Sequence, residues 1–139
     1  MSFREKSARV MALLTAGAGL WYLQKLVMLS PSLAETPAPL GLLLRYVIGL
    51  VVISVIVQIA LAVMTPEEAE APADERERAV LRRAGSWSGN VLAMGILTAL
   101  AWFVARGDGN LLFHTVFFSL VFAQVCEYLL QGLLLRRGA

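Results

Sequence analysis

Four long apolar runs constrain this chain more than any other feature of its sequence. They lie at about residues 10–29, 40–64, 87–104 and 111–135. A helix needs about 20 largely apolar residues to cross the ~30 Å of a bilayer's hydrocarbon, and each run meets or approaches that length. The stretch Val47–Val57 is almost unbroken aliphatic sequence. Composition closes off the soluble alternative. Charged residues make up 16% of the 139 residues and hydrophobic ones 58%, where a soluble domain carries about 25% charged residues. Four such runs leave no amphipathic helix to turn a polar face to water. The expected fold is therefore all-α: a four-helix integral membrane bundle forming a single domain over residues 1–139.

The breaks between runs fit this reading. Ser30-Pro31-Ser32 stops the first helix, because proline lacks a backbone donor and restricts the residue before it. Pro37 and Pro39 delimit the start of the second helix, and Thr65-Pro66 ends it. Gly107-Asp108-Gly109-Asn110 reads as a tight turn between the last two spans. The basic N-terminus followed by an apolar stretch has the look of a signal peptide. The stretch continues to Leu29 and no clean small-x-small cleavage site precedes mature soluble sequence, so it reads as a retained first helix.

Orientation follows from the distribution of arginine and lysine. Arg4, Lys6, Arg9, Arg76, Arg78, Arg82, Arg83, Arg136 and Arg137 fall on one side of the four spans, against Lys25, Arg45 and Arg106 on the other. The nine-residue side is expected in the cytoplasm, with both termini and the loop 65–86. Within that loop, residues 66–73 are acidic and proline-containing. Asp74 to Ala84 reads as a short juxtamembrane helix running into the third span, with Asp74 and Glu75 placed to pair with Arg78 one turn on. This charged motif of Asp74, Glu75, Arg76 and Arg78 is either a solvated turn or a binding surface.

Inside the spans, small and polar residues are the informative ones. Gly85, Gly89 and Ala93, spaced by four, line one helix face and would let a neighbouring backbone come close; Ala12, Ala16 and Gly19 make a looser version. Such faces serve packing within the chain or between copies. On the fourth span, Gln124, Glu127 and Gln131 fall within a sector of roughly 60° at 100° per residue, with Tyr128 at its border. Lipid cannot satisfy them, so the stripe should face protein or water. Glu127 sits nine residues before Arg136, roughly 13 Å deeper at ~1.5 Å per residue. Gln58 and Asn90 belong to the same half, so a polar cluster of Gln58, Asn90, Gln124, Glu127 and Gln131 is expected. Glu127 could carry a proton or a cation there, or bind helices together through hydrogen bonds.

In the opposite half, Trp21, Tyr22, Lys25, Arg45, Tyr46, Trp102 and Arg106 share a depth. They read as an aromatic belt with snorkelling cations, or as a site for an anionic lipid head group. His114 is the single histidine and cannot supply both axial ligands of a haem. No metal motif, phosphate-binding glycine loop or nucleophile–base pair is readable, Ser86, Ser88 and Ser119 included, so neither a cofactor nor enzymatic activity is expected. Cys126 lies in an apolar run and has no second cysteine to pair with. With a net charge of +2, the chain has no basic face for nucleic acid.

Three segments occur in a familiar order: Ser2-Phe3-Arg4-Glu5-Lys6-Ser7-Ala8 through Val10-Met11, Asp74-Glu75-Arg76-Glu77-Arg78 ahead of the third span, and Leu135-Arg136-Arg137-Gly138 at the close. Together they resemble a group of small bacterial four-helix inner-membrane proteins of unknown function. The likeness covers nearly the whole chain, and the acidic–arginine juncture is its most specific part. It implies four spans in a bacterial cytoplasmic membrane and implies no activity. Three functional readings remain open. One is a non-enzymatic scaffold or accessory subunit, associating with membrane lipids and with further copies or a partner membrane protein. The second is a small proton-coupled exporter using Glu127, an analogy of size alone. The third is lipid or quinone binding at the outer aromatic and basic group.

Overall fold

The computed structural model describes residues 2–137, so Gly138 of the closing motif lies outside the described residues. It is helical throughout, in the order α1 (Phe3–Leu29), α2 (Leu40–Met64), α3 (Pro66–Glu70), α4 (Glu75–Arg106) and α5 (Gly109–Arg136). α1, α2, α4 and α5 are each long and apolar enough to cross a membrane.

Local chemistry sets the ends. α1 starts seven residues before its apolar run because Ser2 caps it, its Oγ accepting from the Glu5 N–H at 3.3 Å. α3 opens on Pro66, where a missing N–H costs nothing. α4 opens on a reciprocal capping box. Asp74 Oδ1 accepts from the Glu77 N–H at 2.6 Å, and Glu77 Oε2 accepts from the Asp74 N–H. From there α4 runs without a break through the juncture and the third apolar run. It ends where Gly107 adopts φ +67°, a conformation that glycine takes without strain. Asp108 caps α5 at once, so the expected four-residue turn shrinks to two residues.

The helices form an open row, α4–α5–α1–α2. Among the described residues, Cα atoms come within 8 Å between α4 and α5, α5 and α1, and α1 and α2. They do not between α2 and α5, nor between α4 and α1 or α2. Two glycines set the closest crossings. A Cβ on Gly19 would lie 2.7 Å from Val121 Cγ1, and a Cβ on Gly95 would overlap the Ser119 side chain. A knot of rings closes the far end of the row. Tyr22 packs 4.4 Å from Phe117, and Tyr46 reaches across from α2 to meet the same ring edge-on at 5.2 Å. The two outer helices have little cover. An 18-residue stretch of α2 with mean hydropathy 2.9 contains no buried residue.

Candidate functional site

Glu127, the carboxylate of the fourth apolar run, sits half-buried in the α4–α5 seam. Ser88 Oγ donates to its Oε2 at 3.0 Å, and Gln131 Nε2 donates to its Oε1 at 3.2 Å. The same Ser88 hydroxyl lies 3.1 Å from the Gly85 carbonyl. A hydroxyl has one hydrogen and two lone pairs. If the carboxylate is ionised, Ser88 donates to it. If the carboxyl is protonated, it can donate to Ser88, which then donates to Gly85. The seam therefore satisfies Glu127 in either state.

The five expected cluster residues do not form one group. Glu127 and Gln131 meet. Gln58 binds Ser7 on α1 instead, its amide oxygen and nitrogen lying 3.0 and 2.8 Å from Ser7 Oγ. The reason is the row: α2 packs on α1 and its backbone does not approach α4 or α5. Asn90 and Gln124 are exposed on the surfaces of α4 and α5. Ser88 completes the site, a residue that has no catalytic base at readable spacing in the sequence. Its signal was available in its spacing. The buried α4 residues Ala84, Ser88 and Ala99, with the close-packed Gly95, are separated by four, seven and four, which keeps small side chains on one helix face. The close approach expected at Gly85, Gly89 and Ala93 falls on that face instead. Nothing lies within 4 Å of a Cβ placed on Gly89, Ala93 is exposed, and only at Gly85 would a Cβ meet a neighbour, 3.9 Å from Glu127 Oε1.

The expected head-group set divides into three. Trp21, Arg45 and Tyr46 line one groove of about 600 Å³ between α1 and α2, its walls continued by Gly17, Gly49 and Ile53. Tyr22 is 0% exposed, inside the ring knot, while Lys25 is exposed on α1. Trp102 and Arg106 pair with each other on α4, the guanidinium 4.6 Å from the ring centroid, beyond the reach of the α1–α2 groove.

At the basic end of the molecule the juncture is tied by pairs other than those expected. Asp74 serves as the helix cap, and among the described residues neither it nor Glu75 forms an ion pair with Arg78. Arg4 reaches across from α1 to Glu77 at 3.0 Å and to the Ala71 carbonyl at 3.0 Å, and Lys6 lies 3.6 Å from Glu68. Glu5, 6% exposed, holds Arg9 at 2.6 Å. The first turns of α1 thus fasten the loop and the start of α4. At the far end α5 does the same to the α1–α2 connection. Asn110 donates to the Ala34 carbonyl at 3.1 Å, and His114 Nε2–H donates to the Thr36 carbonyl at 2.8 Å. His114 is fully buried, and a carbonyl can only accept, so the proton on Nε2 follows from the geometry. Among the described residues no three His, Cys, Asp or Glu side chains come together as a metal would need.

Compared with known proteins, the chain matches no family, no curated protein and no solved structure.

Proposed function

We propose that this chain is a non-enzymatic scaffold or accessory subunit, spanning a bacterial cytoplasmic membrane four times with both termini in the cytoplasm. The observation that carries the reading is the open row. α2 and α4 each lean on one long neighbour and leave most of their apolar circumference free. Helices in a membrane associate through packing and polar contacts rather than hydrophobic drive. A layer with two uncovered flanks is suited to addition of further helices, from other copies or from a partner protein. The nine-to-three distribution of basic residues supports the orientation. The ordered terminal and juncture motifs support the likeness to small bacterial four-helix inner-membrane proteins.

The rival reading is a proton-coupled exporter. The position of Glu127 weighs against it, since the carboxylate bonds Ser88 and Gln131 in the α4–α5 seam and does not line the α1–α2 groove. One experiment separates the two. Cysteines at the exposed positions Ile56 on α2 and Leu97 on α4 are crosslinked in native membranes, and Glu127→Gln is assayed for proton-coupled flux in vesicles. The scaffold gives crosslinks to a second chain and no flux in parent or variant. An isolated protomer, or flux lost on Glu127→Gln, overturns it. A cysteine at Glu70 labels from the cytoplasmic side and one at Glu35 from outside if the orientation holds; labelling of Glu70 from outside overturns it.

A further inference from the structure

A second groove, about 390 Å³ in volume, runs along the α1–α5 seam at the basic end. Small residues, Ala12, Ala16 and Gly132, open it between the helices, and Leu129 and Leu133 wall it. Arg9 and Arg136 stand at its mouth. The Arg9 stem packs over Gly132, where a Cβ would lie 3.5 Å from Arg9 Cγ, and the buried Glu5 carboxylate holds one of its nitrogens at 2.6 Å. Arg9 is thereby fixed in the seam, and a guanidinium has five N–H donors, so others remain for a ligand. Arg136 is exposed on the last turn of α5. With Glu5 counted, the mouth still carries a net positive charge over an apolar slot.

We infer that this groove is a binding site for an anionic phospholipid, its phosphate between Arg9 and Arg136 and an acyl chain along the α1–α5 seam. Charge complementarity selects the occupant. Guanidinium groups bind phosphate oxygens with paired N–H donors, and basic residues beside a membrane favour anionic over neutral lipids. The slot has the right length. Seven residues separate Arg9 from Ala16, about 10 Å of helix at ~1.5 Å per residue, enough for the upper half of one acyl chain. Leu13, 76% exposed, stands between this groove and the Trp21–Arg45–Tyr46 groove, which opens toward the other end.

The inference rests on the membrane reading above, so its test scores the two separately. Purified protein is titrated with phosphatidylglycerol and with phosphatidylcholine of the same chains, and bound lipid is counted by native mass spectrometry. Phosphatidylglycerol is expected to bind the parent more tightly. Arg136→Gln should weaken it about fivefold, the ~1 kcal/mol that a basic residue contributes near an anionic surface, and leave phosphatidylcholine unchanged. Arg137→Gln, one residue away and outside the groove, should change neither. Ala16→Leu, which fills the slot without altering charge, should weaken phosphatidylglycerol binding. Equal binding of the two lipids, or equal losses in Arg136→Gln and Arg137→Gln, overturns the site and leaves the membrane reading standing. An Ala16→Leu variant that binds like the parent also overturns it. If neither lipid binds, both readings fall.

Discussion

α5 and α2 are both apolar helices of membrane-spanning length, yet the molecule treats them differently. α5 is gripped on two sides. Val121 sits against Gly19 of α1, Ser119 against Gly95 of α4, and Glu127 bonds across to Ser88. α2 is held on one side, through the Gln58–Ser7 pair near one end and Tyr46 in the ring knot near the other. The contrast shows what holds helices together where lipid is as apolar as leucine. Hydropathy does not: α2 is the more hydrophobic of the two and the less attached. Close backbone approach and polar bonds do.

The largest expected effect therefore lies at the close crossings. Gly19→Leu should separate α1 from α5, because its first carbon already collides with Val121. Overpacking of a tight site costs about 1–3 kcal/mol or more. Gly95→Leu should do the same between α4 and α5. Thermal unfolding in detergent should show both variants melting well below the parent. If both melt with the parent, the crossings are not where the structure puts them.

Next comes the polar bond across α4 and α5. Glu127→Leu removes an acceptor from Ser88 and from Gln131. Ser88 keeps the Gly85 carbonyl, so the loss should stay at the low end of the ~1–3 kcal/mol attached to an unsatisfied buried group. A double-mutant cycle with Ser88→Ala measures it. A coupling near zero would mean that the two side chains do not act on each other. The hold on α2 is weaker still. Gln58→Leu should cost about 0.6 kcal/mol, the mean for polar bonds between membrane helices. It should show as looser α1–α2 crosslinking rather than as a lower melting temperature, since α1, α5 and α4 keep their contacts with one another.

The two helices also differ in how much of their placement could be read in advance. The existence of four long apolar helices was legible, and α2 begins and ends where its apolar run does, because prolines bound it. The start of α1 was not, since apolarity marks depth in a bilayer while helix ends follow caps. Ser2 and the Asp74–Glu77 box are the signals for those ends. The i,i+4 spacing points Asp74 at Arg78, yet Asp74 caps α4, because spacing alone does not say whether a carboxylate will cap its own helix or bind along it. The polar cluster was legible only in part. Glu127 and Gln131 share one helix, so periodicity places them together. Gln58 and Asn90 depend on which helix stands beside which, and hydropathy carries no such information.

The smallest expected effect is also the one that sharpens the contrast between covered and uncovered faces. Gly89 lies on α4 immediately after the buried Ser88, and its sequence context, Gly85-x-x-x-Gly89-x-x-x-Ala93, has the spacing of a packing face. The structure leaves open space where its side chain would be, with nothing within 4 Å. In a single protomer Gly89→Leu should therefore neither clash nor create a void. It should also recover the ~1 kcal/mol by which glycine disfavours a helix interior. The melting temperature of the isolated protomer is expected to stay level or rise slightly, in contrast to Gly95→Leu six residues on. The same variant in native membranes asks a different question. If α4 is covered there by another helix, Gly89→Leu should reduce the crosslinking from Leu97 while the protomer melts normally. A loss of protomer stability would instead place a neighbour of this same chain against Gly89, and α4 would have to be rotated on α5.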